Sequence, residues 1–225
     1  MQTHWLHKNN SGKCILFMSG WGCDYHPFSG LEAAEYDVLM CYDYRDLMPP
    51  VELKALHTEY SEIHLVSWSL GVWVSNRILH QWKDLFGERI AINGTLKPIS
   101  SSEGIPPAIF QGTIDQLNEK GRQKFFMRMC GDRSNFQNFQ ENTPQRALEE
   151  QKEELIQLQK AILNHEMDWN LFEKCLIGTE DRIFPANNME AAWKDYVISK
   201  KEDWPHYCFN QWKSWDDLIS YFQKI

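Results

Sequence analysis

No run of apolar residues in this chain approaches the ~20 needed to cross a bilayer as a helix, so no membrane-spanning segment is expected. The stretch from Met1 to Cys14 has neither a long apolar core nor a twin-arginine pair, and the expectation is a cytoplasmic protein that is not exported. Basic residues are outnumbered by acidic ones, 23 to 31. With a formal net charge of -8, bulk attraction to nucleic acid or an anionic membrane is excluded, and any anionic partner requires a local basic patch. Repeats, low-complexity tracts and flexible interdomain linkers are missing. The six cysteines (Cys14, Cys23, Cys41, Cys130, Cys175 and Cys208) are scattered without metal-ligand spacing, and three lie inside apolar strand-like runs. They read as buried free thiols of a reducing compartment.

What is present is enough chain for one core: 225 residues, 43% of them hydrophobic, which makes a single domain the default. Short apolar runs rich in branched and aromatic residues are each followed by a turn and a more polar helical stretch. That rhythm predicts an α/β fold, a mostly parallel central sheet flanked by helices. Strands are expected at about Gln2 to Lys8, Lys13 to Met18, Tyr36 to Tyr42, Ile63 to Trp68, Ile90 to Asn93, Cys175 to Gly178 and Tyr196 to Ser199. Helices are expected at about Val51 to Tyr60, Gly71 to Trp82, Asn187 to Trp193 and Asn210 to Lys224. Residues 106–165 break the rhythm, with helical stretches and no strand, and read as an inserted helical lid. Its last helix is announced by Thr143 as cap, Pro144 at the first helical position, and Leu148, Leu155, Leu158 and Ile162 at helical spacing. The glutamates and lysines from Glu149 to Lys160 read as its solvated face.

Chemistry is most visible where the apolar run Ile63 to Val66 enters Ser67-Trp68-Ser69-Leu70-Gly71 and then a helix. A strand, a small-x-Ser-x-Gly turn and a helix are the context of a nucleophile elbow, which makes Ser69 the candidate nucleophile. Ser-x-Gly alone occurs about once by chance in a chain of this length; the flanking elements carry the argument. Gly71 meets the demand for a small neighbour, and Ser67 replaces the usual first glycine. An oxyanion hole needs two inward amides. Leu70 supplies one, and Trp21, in the break Ser19-Gly20-Trp21-Gly22 after an apolar strand, supplies the other.

In an elbow-type hydrolase the acid and then the histidine follow the nucleophile. Asp181, just past the run Cys175 to Gly178, is the candidate acid, with Glu180 beside it as the alternative. Of eight histidines only His206 follows, in a loop before the last helix, and it is the candidate base. Such a triad requires neither metal nor cofactor.

The fragments Gly20-Trp21-Gly22, Trp68-Ser69-Leu70-Gly71, Ile92-Asn93-Gly94-Thr95, Met129-Cys130-Gly131 and Tyr42-Asp43-Tyr44-Arg45-Asp46-Leu47 together resemble the BioG-type esterases of biotin synthesis, over nearly the whole chain. The resemblance implies an α/β-hydrolase that cleaves the methyl ester of pimeloyl-acyl-carrier protein. Ser69, Asp181 and His206 then match the triad, and Trp21 and Leu70 the oxyanion donors. A lid over such a substrate would offer Phe125, Phe126 and Met129 to the acyl chain. Arg122, Lys124, Arg128 and Arg133 would face the anionic carrier protein, the expected partner of a monomeric enzyme. The alternatives are a generic short-chain esterase or thioesterase, and a non-catalytic binding protein of the same fold.

Overall fold

A computed structural model describes residues 1–194 and 196–224. Its strands are β1 (Gln2–His7), β2 (Lys13–Met18), β3 (Asp37–Tyr42), β4 (Glu62–Trp68), β5 (Arg89–Ile92), β6 (Lys174–Gly178) and β7 (Ile198–Glu202). They form one sheet in the order β1-β3-β2-β4-β5-β6-β7, with β1 antiparallel to β3 and every other pair parallel. The central strands are covered on both faces, which is why they read as unbroken apolar runs: Cys14 to Met18 in β2 and Ile63 to Trp68 in β4 are buried without alternation. β7 is an edge, Ile-Ser-Lys-Lys-Glu, with its side chains exposed or half-buried. Its lysines guard the open edge and give no apolar signal, so the strand starts two residues later than Tyr196 and runs on to Glu202.

Helices α1 (Leu53–Glu59), α2 (Leu70–Leu79), α7 (Ala186–Trp193) and α8 (Trp215–Gln223) flank the sheet. The expected start of α8 at Asn210 is corrected. Asn210 belongs to a short 3-10 turn, and the helix begins after Ser214, whose hydroxyl accepts from the Asp217 amide at 3.0 Å. α2 likewise ends at Leu79 and continues as a 3-10 segment, His80–Leu85. Phe17, Phe28, Trp68, Phe209 and Trp215 pack edge-on or tilted around the carboxyl end of β2. This aromatic knot pins the chain after β7 against the centre of the sheet.

Between the neighbouring strands β5 and β6 the chain leaves the sheet for α3 (Pro107–Asp115), α4 (Glu119–Cys130), α5 (Arg133–Gln140) and α6 (Leu148–Leu163). α6 starts at Leu148, not at Pro144, and Thr143 is not its cap. The preceding segment is drawn away from helical geometry because Gln145 donates its amide to the Asp24 carboxylate at 2.7 Å and Arg146 reaches inward. The expected solvated face of α6 also needs correction: Gln151 and Glu154 are buried beside Leu155 and Leu158.

Candidate active site

β4 delivers Ser69 at its carboxyl end and α2 leaves from the same residue, forcing the serine to φ 59°, ψ −129°. A non-glycine residue there carries strain of about 1–3 kcal/mol, which surrounding packing must hold. Close approach enforces it. A Cβ at Gly71 would lie 2.3 Å from the Ser19 carbonyl oxygen, and one at Gly94 would lie 2.3 Å from that of Ser69. Ser67, in place of the usual glycine, is accommodated because its hydroxyl is hydrogen-bonded to Ser75 at 2.6 Å, and Ser75 donates to the Gly71 carbonyl at 2.6 Å. The extra side chain thus becomes a tie between β4 and α2.

The turn after β7 brings His206 against Ser69, with Nε2 2.9 Å from the serine Oγ. On its other side Nδ1 lies 2.7 Å from Asp181 Oδ2. The buried carboxylate accepts from Nδ1, leaving Nε2 free to accept the serine proton. Asp181 is itself oriented, since its Oδ1 accepts from the amides of Ile183 at 2.7 Å and Phe184 at 2.9 Å. The Phe184 ring stacks on the imidazole at 5.8 Å and 9°. Of the two adjacent candidate carboxylates, Asp181 meets the imidazole; Glu180 is exposed.

Trp21 and Leu70 both line the hollow above Ser69. Leu70 is the first residue of α2, where the helix ladder leaves amides unpartnered. The loop carrying Trp21 is gripped from α6. The Trp21 indole donates to the Gln151 carbonyl at 2.6 Å, and the Gln151 amide donates to the Gly22 carbonyl at 2.8 Å. Glu154 accepts from the amides of Gly22 at 3.2 Å and Tyr44 at 2.9 Å. Arg146 pairs with Glu154 at 2.6 Å and with Asp43 at 2.9 Å. Burial pushes the Glu154 carboxyl up, and Arg146 and the Tyr44 amide pull against that rise.

The inserted helices divide the expected binding residues. Phe125, Arg128 and Met129 line the hollow at Ser69, and Phe125 meets the Trp21 ring edge-on at 5.0 Å. Phe126 is turned away onto Phe139. Arg122 is not a free cation: it pairs with Glu119 at 2.6 Å and reaches the Arg146 carbonyl and Gln151, so it braces α4 against α6. Lys124 and Arg133 are exposed. Asn93, though part of a fragment that carries the family resemblance, has no role predicted from the sequence, nor do Arg146, Gln151, Glu154 or Arg182, the last of which lines the same hollow.

A mostly parallel seven-stranded sheet with this elbow defines an α/β-hydrolase. The family model described as pimeloyl-ACP methyl esterase BioG matches residues 1–218, and the chain belongs to that family, a family of esterases. It is similar to the crystal structure of BioG from Haemophilus influenzae, at 32% identity and a TM-score of 0.87, covering 97% of this chain and 99% of that one. It is also 42% identical over 196 residues to a malonyl-[acyl-carrier protein] O-methyltransferase of Bacteroides fragilis; the match takes in 87% of this chain and 39% of that protein, so the chain spans about two fifths of that relative. An esterase from Exiguobacterium antarcticum shares the fold at 11% identity and a TM-score of 0.70, with 98% and 94% of the two chains covered. Among the described residues, no helix is long and apolar enough to cross a membrane.

Proposed function

We propose that the protein is a serine carboxylesterase that hydrolyses the methyl ester of pimeloyl-acyl-carrier protein. One observation carries the reading: His206 is hydrogen-bonded to Ser69 and Asp181 at once, at 2.9 and 2.7 Å. In this mechanism Nε2 of His206 takes the Ser69 proton as Oγ attacks the ester carbonyl. The amides of Trp21 and Leu70 hold the oxyanion, and removing one such donor typically costs about 10²–10³ in rate. The proton then passes from Nε2 to the methoxy oxygen, and methanol leaves an acyl-serine. Water, deprotonated by the same imidazole, attacks the acyl-serine; the proton returns to Ser69 and pimeloyl-carrier protein is released. Asp181 stabilises the imidazolium and fixes its tautomer.

The family match supports the carrier-linked substrate. The hollow at Ser69 is tight, with a free volume of about 30 Å³ between Phe110, Phe125, Met129 and Leu155, and suits a thin acyl chain ending in a small methoxy group. In this reading α3 to α6 act as the lid, and Lys124 and Arg128 meet the anionic carrier. Six buried free thiols and a carrier-bound substrate favour the cytoplasm as its place of work. The test is methanol release from methyl pimeloyl-carrier protein, with complementation of a biotin auxotroph lacking its pimeloyl methyl esterase. The wild type is expected to do both and Ser69→Ala neither. Turnover of simple aryl esters alone would leave a generic esterase.

A further inference from the structure

The hollow at Ser69 is bordered by α3 and α4. Its wall residues Ile109, Thr113, Phe125 and Arg128 also line a second, open groove of about 490 Å³ between α3 and α4. The two spaces therefore lie side by side, with these four side chains as their common wall, and the second opens to solvent. Its floor is bare. Gly112, in the middle of α3, faces the groove, and a Cβ there would meet no atom within 4 Å. Gly121 stands across it on α4, where a Cβ would collide with the Gln116 carbonyl oxygen at 2.1 Å. The walls are apolar and open to water, with Ile109 52% and Met127 51% exposed.

Charge marks the direction. Arg128 borders both spaces and Lys124, one turn nearer the start of α4, borders the groove alone. Neither makes an ion pair among the described residues, unlike neighbouring Arg122 with Glu119. Two uncommitted cations on one helix face, in a chain of net charge -8, suit an anion at the outer end of an otherwise apolar track.

We infer that the groove between α3 and α4 is the seat of the phosphate-terminated pantetheine arm. The acyl chain passes Phe125 towards Ser69, the arm crosses Gly112, and its phosphate lies at Lys124. The inference rests on the esterase reading of Ser69 and adds the route by which the substrate reaches it. A side chain at position 112 would fill the floor without disturbing the fold, since nothing lies where its Cβ goes and any residue other than proline is a better helix former there than glycine.

The experiment compares three esters on the full chain: methyl pimeloyl-carrier protein, the same acyl group on free phosphopantetheine, and p-nitrophenyl acetate. Gly112→Phe is expected to raise KM about tenfold or more for both arm-linked esters while the aryl ester is hydrolysed as by the wild type. Gly112→Ala, which leaves the groove open, is expected to behave as wild type on all three. Ala108→Phe fills the groove from a second position, one turn earlier on α3, and is expected to reproduce the selective loss. Unchanged KM on the arm-linked esters in both Phe variants would overturn the route, as would a loss confined to the carrier protein, which would put the contact on the protein rather than its arm. An equal loss on all three esters, with the unfolding midpoint retained, would overturn it too. Aryl-ester hydrolysis surviving in Ser69→Ala would instead remove the esterase reading, so the two failures are distinct.

Discussion

Asn93 holds the backbone of His206: its side-chain amide donates to the carbonyls of Pro205 and His206, each at 3.0 Å, while its own carbonyl accepts the Gly178 amide at 2.7 Å. One fully buried side chain at φ 46° thereby ties the ends of β5 and β6 to the turn carrying the imidazole. Trp68 adds an indole donor to the same His206 carbonyl at 2.9 Å.

Asn93→Asp keeps the shape and removes the donor, setting a charge against two carbonyls. Rate losses of about 10²-fold accompany displacements of about 1 Å in a reacting group. The expected outcome is a kcat drop of that order with KM little changed, together with a destabilisation of roughly 2–4 kcal/mol for the unpaired buried groups. Steady-state kinetics and denaturant unfolding check the two parts.

The brace under the Trp21 loop gives a second prediction. Glu154→Gln removes one of the two carboxylates that Arg146 pairs with, leaving Asp43, and turns an amide group towards the Gly22 or Tyr44 N–H. Breaking a buried pair from one side costs about 3–5 kcal/mol. The unfolding midpoint is expected to fall, and kcat to fall beyond what the folded fraction explains, because Trp21 loses its fixed support. Unchanged kcat in the folded variant would separate the brace from catalysis.

The same brace shows where the sequence was legible and where it was not. The spacing of Leu148, Leu155, Leu158 and Ile162 located α6, but the charge run Glu149 to Lys160 was read as one solvated face. Helical period places positions 151 and 154 next to 155 and 158, so the signal that Gln151 and Glu154 turn inward was present, masked by their polarity. Ser69, Asp181 and His206 were findable because chain order and the strand-turn-helix pattern are local. Asn93 and Arg146 act largely through contacts distant in sequence, His206 and Gly178 for the one and Asp43 and Cys23 for the other, which no local pattern records. β7 was placed early because an edge strand rich in lysine lacks the apolar run that marked β2 and β4.

The charges on α4 give a third prediction. Lys124→Glu combined with Arg128→Glu is expected to raise KM for carrier-linked ester roughly tenfold, an effect that weakens as salt screens the contact over about 10 Å at 0.1 M. The aryl ester should be spared. Arg122 is unsuitable for this test because reversing its charge breaks the pairing with Glu119.

Stability against pH turns on His64, buried in β4. Burial pushes its imidazole below the ordinary 6.5, against the pull of Glu62, and Nδ1 accepts the Glu88 amide at 3.0 Å. The unfolded chain therefore takes up the proton first, so His64 favours the fold fully above 6.5 and loses that contribution as pH falls from there through its folded pKa. The unfolding midpoint is expected to drop between pH 7.5 and 5.5, and His64→Gln to flatten that drop. An equally steep variant would assign the dependence elsewhere.

Labelling with a fluorophosphonate, located by peptide mass, tests the central claim most directly. The account predicts one adduct, on Ser69, in the wild type, with labelling slowed by about 10³-fold or more in His206→Ala for loss of the general base. No adduct in folded protein, an adduct on another serine, or equal labelling without His206 would contradict it.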